Sequence, residues 1–507
     1  MKYLNIFFVL LFIISCSKDT TRVDTAPSFS SESSLYYYPF ENSIEFEKLY
    51  QGACDLSLDT TYSKDENSSL KVTNRANSYD GAALNVTNKL EAKKLYIFRG
   101  YIKRASLNSD SFKVMLKVGD STYIELNKVL VDNDEWTKFR AYIYLSDTQV
   151  QDSLYLYINS DNFTDDYYLD SVEIATTTYT PPTLSTQNIP NISDNIKLKG
   201  INLYAYLDDN ESAENFYIYS WCNYDKEDFK EISQIGFNSV RINLWYKLFE
   251  DDTQPMVYLD KGFKWLDTVI GWAKENNLYV VLDMHAPQGG SNQGPNNITA
   301  FWNDIAYQDR FVALWEEIAK RYRYEPSVVA YDIINEPCPN NELEYQNLLK
   351  RTIDAIRTID TQHILNVERS FASDSQPFVL SGYSNILYDF HFYDPWDSFT
   401  NDPTSVYGTS TDNSTLKSLF DAQISLYKQS SLPFHVSEIG QLSQYFNDKN
   451  SSAWVDYTID LINSNNASFH YFTFKGKLFG LYGGENKFAQ NSSRNEELYQ
   501  LLIKKLN

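Results

Sequence analysis

The sequence predicts two folded parts: an all-β jelly-roll sandwich, then an α/β domain of the (β/α)8 TIM-barrel type. Three observations carry this reading. Short alternating segments separated by polar turns, without helical periods, fill residues 35–175. From residue 196 to the carboxyl terminus the grammar changes to strand, helix, strand, helix, repeated eight times. Two of the later strands, 328–336 and 433–438, are mostly apolar runs that close on Glu336 and Glu438. An acid at the carboxyl end of a buried strand is where α/β folds place their chemistry. A chain of 507 residues suits such a division.

Composition narrows the partners. A formal net charge of -23 argues against nucleic acid and anionic membrane surfaces. A neutral polysaccharide is not repelled. The 40 Tyr, 30 Phe and 9 Trp are largely accounted for by a big core, and the remaining rings suit stacking on sugars.

Residues 1–16 read as a signal rather than as fold. Lys2 precedes an apolar run from Ile6 to Ile14, too short to span a membrane. Ile13-Ile14-Ser15-Cys16 resembles a bacterial lipobox, which implies lipidation of Cys16. Membrane contact is then through a lipid anchor alone. Ser17 at the next position favours the outer membrane, with periplasmic and surface-facing orientations both open. Residues 17–34 are Ser, Thr, Asp and Pro in the main and read as a flexible tether. Cys54, Cys222 and Cys338 remain, an odd number without zinc-site spacing. Cys338 follows Glu336-Pro337 and is expected near the mouth of the site.

In residues 35–175 the predicted strands are 69–72, 81–86, 95–102, 112–118, 137–145, 153–158 and 167–174. The stretch Asn74-Arg75-Ala76-Asn77-Ser78-Tyr79-Asp80-Gly81, Trp136-Thr137 and the closing Tyr168-Leu169-Asp170-Ser171-Val172-Glu173-Ile174 resemble carbohydrate-binding modules of families 4, 9 and 22. The resemblance implies sugar contacts from Arg75 and Tyr79 and a structural calcium near Asp170. Tyr79 stands where that pattern more often has Trp. Residues 176–195, with Pro181-Pro182 and Pro190, read as a linker.

For residues 196–507 the predicted barrel strands are 196–202, 237–244, 278–285, 328–336, 364–368, 386–393, 433–438 and 469–474. Amphipathic stretches lie between most of them: 226–235, 262–276, 308–322, 345–359, 416–428, 453–463 and 496–505. No glycine-rich phosphate turn follows the first strand, which disfavours a doubly wound open sheet. Strand ends supply the candidates. These are Arg241 and Trp245 on the second, His285 on the third, Asn335-Glu336-Pro337 on the fourth, His391 and Tyr393 on the sixth and Glu438 on the seventh. Four of the five histidines fall near strand ends, a convergence that core packing does not explain. His435, three residues before Glu438, is sent by alternation to the opposite side and reads as structural, as does His363.

Two glutamates on facing strand ends are what glycosidic cleavage requires. Ser-Val-Arg-Ile-Asn-Leu, Leu-Asp-Met-His, Asn-Glu-Pro, His-Phe-Tyr and His-Val-Ser-Glu, in that order, resemble glycoside hydrolase family 5, the cellulase-like retaining clan. The resemblance runs from residue 196 to the carboxyl terminus. It implies Glu336 as general acid and then base, and Glu438 as nucleophile. Arg241 and Tyr393 would orient Glu438, and His391 would support Glu336. His285 and Asn335 would contact sugar hydroxyls. Trp245, Trp302 and Trp396 are candidate stacking platforms, and Phe472 stands where the family has a Trp floor. No cofactor is implied, and no metal for catalysis. The expected activity is an endo-β-glucanase acting on a polysaccharide or oligosaccharide. β-Mannanase, xyloglucanase, β-1,3-glucanase or exo-β-glucosidase are alternatives on the same scaffold. An inactive glycan-binding lipoprotein is the alternative of another class, and the complete residue set argues against it.

Overall fold

The computed structural model describes residues 30–507, apart from 50–52, 107–108, 132–134, 161–163, 185–187, 205–223, 290–299, 371–376, 395–406, 409, 443–449, 477–478 and 484–493. Cys16, Cys222 and Trp396 therefore lie outside the described residues. Among the described residues no helix is long and apolar enough to cross a membrane.

The amino-terminal part is a sandwich of two antiparallel sheets. Asp55–Asp59, Ser69–Thr73, Tyr167–Thr177, Leu95–Arg104 and Thr137–Tyr144 form one, with Glu32–Tyr38 also on Tyr167–Thr177. Glu47–Lys48, Ala82–Asn85, Leu154–Ser160, Asp110–Val118 and Thr122–Val131 form the other. Alternation in Asp110–Val118 turns Phe112, Val114, Leu116 and Val118 inward, into one core with Phe98, Ile102 and Phe139 of the facing sheet. Sequence reading missed Glu32–Tyr38, Asp55–Asp59 and Thr122–Val131. Asp55–Asp59 and the start of Thr122–Val131 are exposed, so one-sided burial leaves a weak apolar pattern there. The predicted tether 17–34 overlaps Glu32–Tyr38, so the sandwich begins before residue 35.

The predicted linker is likewise not a free spacer. Buried Tyr179 donates its hydroxyl to Glu325 on the barrel. Gly271, inside helix Asp260–Glu275, lets that contact form: a Cβ there would lie 2.8 Å from Cβ of Tyr179 and 3.2 Å from Cβ of Ser31. Around it, Trp272 donates to Glu32 at 2.8 Å and Tyr144 to Asp260 at 2.7 Å, and Arg140 and Lys138 both pair with Asp225. Asp225 caps helix Lys226–Ile235, accepting from Glu227 and Asp228 in a capping box. One carboxylate thus starts a barrel helix and clamps the sandwich to it.

The barrel is closed and parallel. Its strands, first to eighth, are Lys199–Leu203, Ser239–Trp245, Tyr279–Ala286, Val328–Asp332, Ile364–Glu368, Ile386–Phe392, Phe434–Ile439 and Ser468–Tyr471. The loop closes where Lys199 pairs with Phe469. Leu198, Val281, Val329, Ala330 and Ile364 form an apolar cluster of their own. A polar layer lies inside the barrel. His435 Nε2 meets His470 Nδ1 at 2.8 Å, and His470 Nε2 meets Ser239 Oγ at 3.0 Å. Gly200 makes room, because a Cβ there would sit 2.0 Å from the His470 ring.

These contacts correct two expectations. Two of the four strand histidines, His435 and His470, are core packing, paired with each other. His435 also points to the same side as Glu438. Strand seven carries one extra residue opposite strand six: Val436 pairs with Phe390, but Glu438 pairs with His391. The bulge at Ser437 reverses the alternation and turns Glu438 inward. His363 bonds Asp360 at 2.5 Å and stacks on Tyr331, away from the strand ends.

Candidate active site

Arg241 is the hub of the barrel mouth. Fully buried on the second strand, it donates from Nη1 to Glu438 at 2.8 Å and to Asn202 at 3.0 Å. Nε reaches Asp332 at 2.9 Å, and Nη2 reaches Asn335 at 3.0 Å and Asp283 at 3.1 Å. Burial alone would depress the guanidinium, but Asp283, Asp332 and Glu438 outweigh it and hold it charged. The other oxygen of Glu438 accepts from the Tyr393 hydroxyl at 2.7 Å. Both Glu438 oxygens are thus fixed, one by a cation and the other by a hydroxyl.

Glu336 has a different setting. Strand four ends at Asp332, before residue 336, so the chain leaves strand geometry ahead of Pro337. Glu336 adopts φ 43°, a left-handed conformation uncommon outside glycine. Its side chain is 16% exposed against 5% for Glu438, so Glu336 is the more open to a ligand. Among the described residues no Lys or Arg pairs with it. Burial raises its pKa above the ordinary glutamate value, with His285 and Arg241 only partly opposing. His391 Nδ1 lies 2.9 Å from Glu336 and 3.4 Å from Glu438, linking the two acids. Burial lowers His391 to about 4, so the ring is neutral.

One ligand atom each from Glu336, His391 and Glu438 lies within 4.8 Å of the others. That spacing alone would accommodate a metal ion. Arg241 and Tyr393 already take both Glu438 oxygens, however, so the set suits acid–base and nucleophilic work better.

His285 is held at Nδ1 by Asn243 at 2.7 Å and Asp283 at 2.9 Å, and burial lowers it to about 4. Asn335 is oriented through Oδ1 by Arg241, which turns its amide donor end away from the guanidinium. Phe472 lies 5.0 Å from Tyr204 and 5.8 Å from Phe479, and Tyr204 lies 5.4 Å from His285. These rings form an aromatic wall beside the acids. Trp245 and Trp302 are 5% and 3% exposed, the latter edge-on to Phe301 and Tyr345. Neither presents a face to a sugar, so the stacking expected of them is replaced by packing. Cys338 is a buried free thiol.

Asn202, Asn243, Asp283, Asp332, Glu368 and Asp389 escaped the sequence reading. Asn243, Asp283 and Asp389 lie two residues from Arg241, His285 and His391, the spacing that puts strand residues on one face.

In the sandwich, Arg75 is buried and fully engaged. It donates to the backbone carbonyls of Asp80, Ser78 and Asp165 and to Ser160, so it pins loops and does not face a sugar. Tyr79 is 54% exposed. The Asp170 carboxylate accepts backbone N–H groups of Lys64, Asp65 and Ser171. Its lone pairs are turned to amide donors, which does not fit the oxygen-rich shell calcium needs.

With this geometry, the comparisons with known proteins are decisive. The family model for cellulase (glycosyl hydrolase family 5) matches residues 193–478, more than half of the chain. The chain belongs to glycosyl hydrolase family 5. A carbohydrate binding domain model matches residues 33–165. Among curated relatives, a β-xylosidase of Phanerodontia chrysosporium is 34% identical over 188 residues, covering 36% of this chain and 39% of that protein. Endoglucanase C of Acetivibrio thermocellus is 31% identical over 204 residues, covering 39% of this chain and 57% of that protein. The match thus spans less than two thirds of either relative. Thermotoga maritima Cel5A, solved with mannotriose, shares the fold with a TM-score of 0.51 at 22% identity, over 61% of this chain and 98% of its own.

Proposed function

We propose that this protein is a retaining hydrolase of β-glycans, an endo-β-glucanase in type. In this reading Glu438 attacks the anomeric carbon while Glu336 protonates the departing glycosidic oxygen. Glu336 then takes a proton from the water that hydrolyses the glycosyl–Glu438 ester, and two inversions leave the β configuration unchanged. The observation that carries the proposal is that one oxygen of Glu336 lies within 4.8 Å of one oxygen of Glu438, the second acid fixed by Arg241 and Tyr393 and the first without a Lys or Arg partner among the described residues. Retaining pairs sit at about 5–5.5 Å, whereas inverting pairs need about 6.5–9.5 Å to admit a water. Arg241 and Tyr393 hold Glu438 and aim it. Asn335 is placed to donate to the sugar 2-hydroxyl, His285 contacts a neighbouring hydroxyl, and Phe472 with Tyr204 and Phe479 supplies the floor.

The names of the relatives, endoglucanase and β-xylosidase, support a β-linked glucan or a β-xyloside as substrate. A product profile on β-1,4-glucan, β-1,3/1,4-glucan, xyloglucan, mannan and xylan tests the proposal, run beside Glu336→Gln and Glu438→Gln. A ladder of oligosaccharides from one polymer, absent in both variants, supports the endo reading. Silence on every polymer moves it to an exo-enzyme on short oligosaccharides. Turnover of no β-glycoside at all, with glycan binding intact, leaves a binding protein.

Glycan binding by the sandwich, with Tyr79 as a contact, and export as a Cys16-lipidated outer-membrane protein complete the proposal. Loss of fatty-acid labelling in Cys16→Ser tests the anchor.

A further inference from the structure

We propose that Glu368 is a positioning residue that holds His391 with its ring proton on Nδ1, and so keeps the Glu336 proton aimed at the leaving group. The inference rests on reading Glu336 as the general acid.

Glu368 closes the fifth strand and is 3% exposed. It touches the acid from two sides. Oε2 accepts the backbone N–H of Glu336 at 2.5 Å, at the residue whose φ is 43°. Oε1 lies 3.7 Å from Nε2 of His391, the ring whose Nδ1 is 2.9 Å from the Glu336 carboxyl. That Nε2 is buried and has no hydrogen-bond partner among the described residues. The 3.7 Å gap exceeds a hydrogen bond, and a small rotation of Glu368 would close it, as catalytic contacts tighten when a substrate binds.

The chemistry follows from the single proton of a neutral imidazole. With that proton on Nε2, Nδ1 is a lone pair that accepts the Glu336 proton and draws it away from the substrate. With it on Nδ1, the ring donates to one Glu336 oxygen, and the acid's own proton must sit on the other. A carboxylic O–H from Glu368 facing Nε2 selects the second arrangement.

Glu368 must then be protonated, and its neighbours favour that. Burial raises its pKa well above the ordinary value, and Asp389, Glu336 and Asp332 raise it further. Among the described residues, the other titratable groups near it are the neutral His391, Tyr345, whose hydroxyl donates to the Glu368 carbonyl at 2.6 Å, and Tyr427, on which the Arg369 charge also acts. The Arg241 charge is divided among Asp283, Asp332 and Glu438.

The test compares kcat/KM on a cello-oligosaccharide, whose leaving group needs a proton, and on a dinitrophenyl β-glycoside of the same sugar, whose leaving group does not. Glu336→Ala is the reference for lost acid catalysis. Glu368→Leu should lose about 10–100-fold on the oligosaccharide and little on the aryl glycoside, and Glu368→Gln, which keeps a donor and an acceptor, should recover most of the loss. The alkaline limb of Glu368→Gln should stay within about half a pH unit of wild type, since a neutral group replaces a neutral group. Equal losses on both substrates, no loss, or an alkaline limb lowered by about a unit or more would overturn the proposal. If Glu368→Leu does not fold, ¹⁵N NMR of the wild-type His391 ring decides: a proton on Nδ1 supports the proposal, and one on Nε2 overturns it. A Glu336→Ala variant that loses no more on the oligosaccharide than on the aryl glycoside would instead sink the acid assignment itself.

Discussion

At the residue scale, everything turns on Arg241. One buried guanidinium neutralises part of an acid cluster that includes Asp283, Asp332 and Glu438. Replacing it with Met strands those carboxylates, so Arg241→Met should cost about 3–5 kcal/mol in a denaturant titration and abolish turnover. Glu336 supplies the second prediction at this scale. Its pKa is raised by burial, and in the proposed role of general acid the protonated form is the one that donates. Activity should therefore persist above the ordinary glutamate range and fall as pH rises through the raised value, with kcat/KM against pH as the measurement. Motif reading reached the two acids and the groups that touch them, Arg241, Tyr393 and His391, and stopped short of the residues that hold those groups in turn. Asp283, two residues before His285, and Asp389, two before His391, were within reach of strand alternation. Glu368 met the rule that singled out Glu336, an acid at a strand's carboxyl end, but no motif surrounds it. Arg75 and Trp302 show the reverse error, since burial is not written in residue type.

At the scale of elements, all eight barrel strands were legible because each is a short apolar run and all but the fifth are followed by an amphipathic helix. Their ends were less so. The extra residue at Ser437 and the early end of strand four at Asp332 redirect both glutamates, and neither leaves a mark in hydrophobic pattern. The contacts between sandwich and barrel were hidden too, since charged residues on a sandwich strand read as solvated. Arg140 contradicts that, donating to the Tyr224 carbonyl at 2.6 Å and pairing with Asp225. Burial pushes Asp225 up, but Arg140 and Lys138 outweigh it and leave its pKa well below the usual 3.8. The folded state thus binds fewer protons at this site than the unfolded chain. Its contribution is complete above the ordinary aspartate value and disappears as pH falls through the depressed one. Arg140→Ala should cost about 3 kcal/mol near neutral pH and lessen the loss of stability on acidification, both read from urea titrations.

For the whole molecule, the acid column inside the barrel works in the opposite direction. Burial raises Asp283 to about 7 and lifts Glu368 and Asp389 well above the carboxylate range. Here the folded state binds more protons than the unfolded one, so stability is complete at low pH and erodes as pH climbs through these values. The net charge of -23 adds self-repulsion in the same sense. The melting temperature should therefore be higher at about pH 5 than at about pH 8. The two-part architecture was legible because the hydrophobic period changes from two to helical near residue 196. The docking of one part on the other depends on long-range pairs and was not.

The central claim is that Glu336 and Glu438 cleave a β-linkage by double displacement. The most direct test follows the anomeric protons of the first products by NMR during hydrolysis of a soluble β-glucan, before mutarotation. The account predicts that the β-anomer appears first and that Glu438→Gln forms none. An α-anomer appearing first would mean a single inversion, and would contradict the roles given to both glutamates.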